Sequence, residues 1–200
     1  AIFFLRFLKL PDDEWAPFER YLRAGKPVIG LRTASHSFKY EEDHPRFDWN
    51  DGFGRRAMGT PYVVHQQGKT DISVVERRLK HPIMANVSKS NWISEGTLYL
   101  TRLEPACVPL VIGTGNGRMR LLERAIGPVQ VNTTEADIVA WAWENEWGGR
   151  VFGTSLGHPA DFAEESFTRM LMNSVFWSLD MPVPTADKKV STWKIQRADK

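Results

Sequence analysis

Apolar residues open the chain and are followed by a pattern typical of a strand, a helix and a second strand. Residues 1–8 are almost all apolar, which predicts a buried strand. After a short acidic turn, Trp15, Phe18 and Leu22 recur at helical spacing and predict an amphipathic helix. The apolar run 28–31 predicts the next strand. This order of elements indicates a parallel sheet with a right-handed crossover.

Further strands and one long helix are predicted downstream, within a single domain that spans residues 1–180. The strands follow from short apolar runs between turn residues, and the helix from an apolar stripe of helical period. The predicted strands cover residues 61–66, 71–76, 96–100, 107–113, 137–144 and 150–155, and the predicted helix covers residues 162–179. Residues 41–59 are expected to form a long polar loop, and the glycine-rich run 113–117 a hairpin or surface loop. Residues 181–200 are expected to form a polar tail.

The composition excludes several classes of protein. The formal net charge is +2 and the basic residues are scattered, so a nucleic-acid partner is not expected. No apolar stretch reaches the ~20 residues that a transmembrane helix needs, so we expect a soluble protein without a membrane partner. The apolar N-terminal run lacks the basic start and the cleavage site of a signal peptide.

Cys107 is the one cysteine of the chain, which rules out an intrachain disulfide. It lies in an apolar run and is therefore predicted to be a buried thiol rather than a nucleophile. A reducing, cytoplasmic location is favoured. Periplasmic or secreted locations stay open, because the chain starts without Met, inside a predicted strand. We expect the first βα unit of the fold to be missing upstream, and association into a homo-oligomer also stays open.

Arg32, Thr33, Ser35 and His36 form the first candidate site, directly after the predicted strand 28–31. In an open parallel sheet, ligands bind beyond the carboxyl ends of the strands, so these polar side chains are expected at that edge. The same residues are equally typical of a structural turn, in which Ser35 caps a helix and the backbone satisfies His36.

His158 and Asp161 form the second candidate site, directly after the predicted strand 150–155. An acid three residues beyond a histidine can fix the tautomer of its imidazole, which then acts as a general acid or base. Asp161 is also suited to cap the following helix. If the two strands are parallel, His158 and His36 emerge at the same edge and share one site.

Three further assignments rest on weaker patterns. His65 ends a predicted strand and is expected near the same edge. Trp49 is suited to stack on the C–H face of a sugar ring, and equally suited to core packing. His36, His65 and His158 together are compatible with a divalent metal such as zinc. They lack the local ligand spacing of known zinc motifs, so no metal ligands are assigned.

These segments resemble the ThuA-like, or trehalose-utilisation, family. The resemblance rests mainly on residues 30–38 (GLRTASHSF) and 149–158 (GRVFGTSLGH), and it runs from about the first strand to Leu179. It implies a flavodoxin-like three-layer α/β sandwich with a mostly parallel sheet, in the class I glutamine amidotransferase-like superfamily. It also implies a link to carbohydrate metabolism.

The resemblance places Arg32 where a class I amidotransferase has its cysteine nucleophile. His158 and Pro159 match the His-Pro pair of that superfamily, but Ala160 stands where a Glu would follow. A guanidinium is always protonated and only donates hydrogen bonds, so Arg32 cannot attack a carbonyl. The resemblance therefore implies that the chain has no amidotransferase activity. It also implies that Arg32 binds a carboxylate, a phosphate or a sugar oxygen.

The sequence favours an enzyme that acts on a sugar or disaccharide derivative through histidine acid–base chemistry, with a small-molecule carbohydrate as its partner. The alternative is a non-catalytic carbohydrate-binding or structural domain of a larger protein. The predicted catalytic residues are His36, His158 and Asp161, and the predicted substrate-binding residues are Arg32, Thr33, Ser35, Trp49 and His65.

Overall fold

A computed structural model describes residues 1–123 and 127–195, which form a nine-stranded sheet covered by helices. The strands are β1 (Ile2–Phe3), β2 (Val28–Leu31), β3 (Val64–Gln66), β4 (Thr70–Val74), β5 (Trp92–Ser94), β6 (Leu98–Leu100), β7 (Val108–Glu123), β8 (Gly127–Glu144) and β9 (Arg150–Thr154). The α-helices are α1 (Asp12–Arg23), α2 (Trp49–Gly52) and α3 (Glu165–Ser178). Shorter helical turns cover Arg32–His36, Phe53–Met58, Glu76–Arg78, Pro82–Met84 and Pro159–Ala163.

The sheet is mixed, and the expectation of a mostly parallel sheet is wrong. Its strands lie in the order β1-β2-β9-β8-β7-β3-β6, and β4 pairs with both β7 and β5. Strands β1, β2 and β9 are parallel, whereas β9, β8, β7 and the strands beyond them pair antiparallel. A parallel connection needs about a dozen residues or more. The short segments that join β7 to β8 and β8 to β9 therefore favour antiparallel pairing.

Both faces of the sheet are buried at its parallel end. On β2, Ile29 and Leu31 belong to a core that includes Phe167 of α3, whereas Val28 belongs to a second core that includes Trp15 of α1. Successive strand residues point to opposite faces, so a strand between two cores consists of a continuous apolar run. This is why residues 28–31 are all apolar or glycine.

The glycine-rich run 113–117 lies inside β7, which corrects the expectation of a loop. A β-carbon on Gly113 would stand 2.6 Å from a methyl group of Val139, and one on Gly117 would stand 2.1 Å from the carbonyl oxygen of Gln67. Glycine within a strand often marks such a close approach of neighbouring chain. The glycines therefore allow close strand packing and do not form a turn.

Two other segments are more ordered than the sequence pattern indicated. The expected loop over residues 41–59 contains α2 and the π-helical turn Phe53–Met58. The described part of the polar tail, residues 181–195, follows α3 along the surface, where the backbone N–H of Trp193 donates to the Phe162 carbonyl at 2.8 Å. In the described ranges no helix is long and apolar enough to cross a bilayer.

Candidate functional site

The carboxyl ends of β2 and β9 bring two distant segments together at one edge of the sheet. Leu31 is the register partner of Thr154, so the next residues, Arg32 and Ser155, leave the sheet side by side. Arg32 adopts the left-handed conformation, with φ of 50°. A non-glycine residue with positive φ is uncommon, and such strain is frequent at functional sites. The turn after β2 therefore carries backbone strain of the kind that is frequent at functional sites.

Arg32 is partly buried and has no carboxylate partner in the part of the chain that the structure describes. Its guanidinium carbon lies 5.7 Å from the ring centroid of Tyr99. Nη1 is shielded from solvent and has no hydrogen-bond partner among the described residues. The contact with Tyr99 offsets part of the cost of burying this cation, but a donor without an acceptor remains.

Ser155 presents a second buried polar atom without a partner. Its Oγ makes no hydrogen bond with any described residue. Arg32 and Ser155 line the same narrow cavity of about 10 Å³, whose walls also include Thr60, Tyr62 and Tyr99. A space of this size holds about one water molecule or one ligand oxygen. The two residues that carry these unpaired donors therefore line a space suited to a single oxygen atom.

His36 lies beside this cavity in a nest of aromatic rings. Its ring centroid is 4.5 Å from that of Tyr62, 5.3 Å from Phe7 and 5.9 Å from Tyr99. Its Nδ1 lies 3.4 Å from Oγ of Ser35. Burial, followed by the positive charge of Arg6, lowers the pKa of His36 to about 4. His36 is therefore neutral at pH 7, and Thr33 lies half-buried in the same turn.

Tyr62 and His65 form a hydrogen-bonded pair at the rim of the site. The Tyr62 hydroxyl lies 2.7 Å from Nδ1 of His65, and the His65 ring is 5.4 Å from that of Tyr99. Partial desolvation, with Arg32 and Arg6 nearby, lowers the pKa of His65. Burial raises the pKa values of Tyr62 and Tyr99, so both phenols remain protonated donors at neutral pH.

His158 follows β9 and lies beside Arg32. A β-carbon on Gly96 would lie 2.5 Å from Nη1 of Arg32 and 3.2 Å from Cβ of His158, so both residues flank Gly96. The Nδ1 of His158 accepts a hydrogen bond from the Ala160 N–H at 3.2 Å. An acceptor Nδ1 places the proton of a neutral ring on Nε2. Arg32 thus links His158 to the rings around His36.

Asp161 does not orient the imidazole of His158, which corrects the role expected from their spacing. Its Oδ2 accepts hydrogen bonds from the backbone N–H groups of Gly157 and His158, at 2.8 and 2.9 Å. Its Oδ1 accepts from the Ser94 hydroxyl at 2.7 Å. The side chain is 1% exposed. The spacing that predicted a catalytic pair therefore produces a capping box that fixes the backbone at the end of β9.

Trp49 lies in the core, away from the cavity, so a sugar-stacking role is wrong. It packs edge-on against Trp15, with 5.0 Å between ring centroids, and face to face with Trp147 at 6.2 Å. The guanidinium of Arg56 covers it at 4.9 Å. The aromatic faces at the site belong instead to Tyr62 and Tyr99.

His36, His65 and His158 do not form a metal site. Within the described ranges, no group of three or more His, Cys, Asp or Glu side chains is placed to hold a metal ion. His36 and His65 share the aromatic nest, but their local surroundings are tyrosines and arginines rather than further ligands. The zinc site that the three histidines left open at the sequence level therefore has no support in this arrangement.

Four residues that the fold brings to this edge were not predicted from the sequence: Arg6, Tyr62, Tyr99 and Ser155. Ser155 lies within the segment 149–158 that carried the family resemblance, at the end of a predicted strand, and that position was the available signal. Tyr99 is the central residue of β6, and its position gave no such signal. Arg6 follows β1, the third parallel strand. Tyr62 precedes β3, which is antiparallel, and nothing local to it indicates this edge.

Comparison with protein families matches residues 1–178 to the ThuA family, described as trehalose utilisation. A ThuA-like protein from Bacteroides uniformis has a similar structure, with a TM-score of 0.56 and 15% identity over 88% of this chain and 67% of that one. Another, from Parabacteroides merdae, has a TM-score of 0.58 and 13% identity over 96% of this chain and 77% of that one. No curated protein matches the chain. Because the family match covers nearly the whole sequence, the chain belongs to the ThuA, or trehalose-utilisation, family.

Proposed function

We propose that this chain is an enzyme that binds a sugar or disaccharide derivative at the joint end of β2 and β9. The observation that carries the proposal is that Arg32 and Ser155, which line one narrow cavity, each have a buried polar atom without a partner, Nη1 and Oγ. Buried polar groups in native proteins are nearly always hydrogen-bonded, so exceptions require an explanation. A ligand oxygen that completes both groups supplies one.

The surroundings of the cavity favour a ligand with both polar and apolar faces. Tyr62 and Tyr99 offer ring surfaces together with hydroxyl groups. A sugar ring has apolar C–H faces and a polar edge of hydroxyls, and aromatic side chains with a polar atom complement both. The trehalose-utilisation description of the family agrees with a carbohydrate.

Proton transfer is assigned to His158, which lies beside Arg32. Its Nδ1 is held by the Ala160 N–H, which leaves Nε2 for the ligand. His36, with a pKa of about 4, is too weak a base to be half-protonated near neutral pH. We therefore assign proton transfer to His158, positioning to His36 as a neutral hydrogen-bonding group, and substrate anchoring to Arg32.

The same edge is unsuited to amidotransferase chemistry. Arg32 occupies the elbow after β2, and the thiol of Cys107 lies elsewhere, against the carbonyl of Gly59 at 3.8 Å. Burial raises the pKa of Cys107 to about 12, which suppresses the thiolate. Because position 32 carries an arginine and no nucleophile, a second candidate function is also favoured, that of a carbohydrate-binding domain without turnover.

One matched pair of variants tests the assignment of His158. His81 and His158 both precede a proline, and each Nδ1 accepts from the backbone N–H two residues later at 3.2 Å. Asparagine keeps an acceptor in this capping position and removes the outer ring nitrogen. His158→Asn and His81→Asn therefore make the same local change, one beside Arg32 and one beside Trp177.

The assay combines calorimetric titration with proton NMR of trehalose and of oxidised or phosphorylated sugar derivatives. We expect the wild type and His81→Asn to bind and convert one of these ligands, and His158→Asn to bind but not convert it. Binding without conversion by the wild type would establish the binding-domain alternative. No binding of any of these sugars would reject the proposal.

A further inference from the structure

The charges near the cavity are those of two arginines and of two carboxylates whose oxygens already accept hydrogen bonds. One of these, Asp137, accepts from the backbone N–H and the hydroxyl of Thr101, which lines the cavity. Arg32 faces the cavity, and Arg6 lies close enough to lower the pKa values of His36 and His65. Asp161 approaches through Ser94 and Gly96, but its oxygens accept from Ser94, Gly157 and His158, and it makes no ion pair with Arg32. The site therefore holds a partly buried cation without a counter-ion among the described residues.

A neutral sugar hydroxyl would give Arg32 an acceptor but not a counter-charge. A buried charge that is not paired is costly, and a bound anion reduces that cost more than a neutral acceptor does. Hydrogen bonds between a guanidinium and a carboxylate or phosphate are roughly twice as strong as neutral ones. The surroundings thus favour a negatively charged oxygen in the cavity.

We infer that the ligand of this site carries an anionic group, a carboxylate or a phosphate, and that one of its oxygens is held between Nη1 of Arg32 and Oγ of Ser155. The inference rests on the proposed function, because it assumes that the ligand is a sugar derivative. The cavity of about 10 Å³ admits the oxygen alone, so the sugar ring lies outside it, against Tyr62. Arg6 adds a favourable potential at the rim without contacting the bound oxygen.

The test uses one sugar ring with three substituents. Glucose, glucuronate and glucose 6-phosphate are titrated calorimetrically into the wild type at pH 7.5 and low salt, with inorganic phosphate as a ligand without a sugar. We expect at least one of the anionic sugars to bind roughly tenfold to hundredfold more tightly than glucose, because a hydrogen bond to a charged group contributes that much to affinity. Comparison of glucuronate with glucose 6-phosphate identifies which anion the site prefers.

Three variants locate the preference. Arg32→Gln keeps a donor and the same backbone strain but removes the charge. The ratio of the affinity for the anionic sugar to the affinity for glucose should therefore fall close to one. Arg32→Lys keeps the charge but lacks the planar guanidinium, so it should retain part of the preference for the anionic sugar. Arg150→Gln, at the opposite end of β9, is the matched control and should leave the preference unchanged. Thermal melts of each variant confirm that it is folded.

Each outcome separates the inference from the proposed function. Equal binding of glucose and both anionic sugars would overturn the inference and leave the proposed function standing, with a solvent molecule in the cavity. A preference that survives Arg32→Gln would also overturn it. Inorganic phosphate that binds as tightly as glucose 6-phosphate would support the anion site but reject a sugar site. No binding of any probe would reject both.

Discussion

The guanidinium of Arg32 occupies the space that a side chain on Gly96 would need. A β-carbon on Gly96 would stand 2.5 Å from Nη1 of Arg32. Contacts this short require one partner to move, and the end of a long side chain moves at little cost. The lack of a side chain at Gly96 thus leaves room for the guanidinium that anchors the ligand in the proposed site.

We predict that Gly96→Ala weakens ligand binding about tenfold or more, while stability falls by no more than about 1 kcal/mol. The methyl group displaces the guanidinium from the cavity but meets no backbone atom among its nearest neighbours. Calorimetric titration and urea unfolding measure the two effects. Gly52→Ala is the control, since its β-carbon would meet only Arg56 at 3.9 Å. Unchanged binding by Gly96→Ala would contradict the placement of Arg32.

We predict that Asp161 contributes mainly to the stability of the fold and not to catalysis. Asp161→Asn removes a buried charge that accepts three hydrogen bonds, and it places an amide donor against groups that also donate. We expect a loss of about 2–3 kcal/mol in the free energy of unfolding, measured with urea. Ser94→Ala, which removes one of the three donors, should cost less. Wild-type stability with abolished turnover would instead assign Asp161 to the chemistry.

The neutral state of His36 predicts a pH-dependent stability. Its folded pKa of about 4 lies below the unfolded value near 6.5. The unfolded chain therefore binds the proton first, so His36 contributes fully above pH ~6.5 and its contribution is lost as the pH falls towards 4. The loss is of the order of 3 kcal/mol. His36→Gln should flatten this part of the stability curve relative to the wild type, measured by urea unfolding at pH 7 and pH 4.5. Parallel curves would contradict the pKa of His36.

Cys107 is predicted to be inert in the folded protein. Its thiol has a pKa of about 12 because it is buried, so almost no thiolate exists at pH 8. Iodoacetamide should label the folded chain far more slowly than the urea-unfolded chain, as followed by intact mass. The protein should release no ammonia from glutamine. Ammonia release that Cys107→Ala abolishes would overturn both expectations.

Local chemistry along the chain determined a substantial part of the fold. The apolar run 28–31, the spacing of Trp15 and Leu22, and the amphipathic stripe before Leu179 predicted β2, α1 and α3. The polar turn that contains Arg32 was predicted at the end of a strand, where the structure has it. Such features depend on residues a few positions apart, which is why a single sequence carries them.

Contacts between distant segments were decided only by the tertiary structure. Trp49 and Tyr99 are both buried aromatic residues, and nothing local indicates that Trp49 packs in the core cluster of Trp15 whereas Tyr99 lies beside Arg32. In the sequence, the glycines of β7 are typical of a loop. In the structure, Val139 and Gln67 fill the space beside them. Strand order and register set these neighbours, and they depend on the packing of the whole sheet. The sequence by itself thus determined which residues leave β2 and β9, and the fold decided that Arg32 and Ser155 face one cavity without partners.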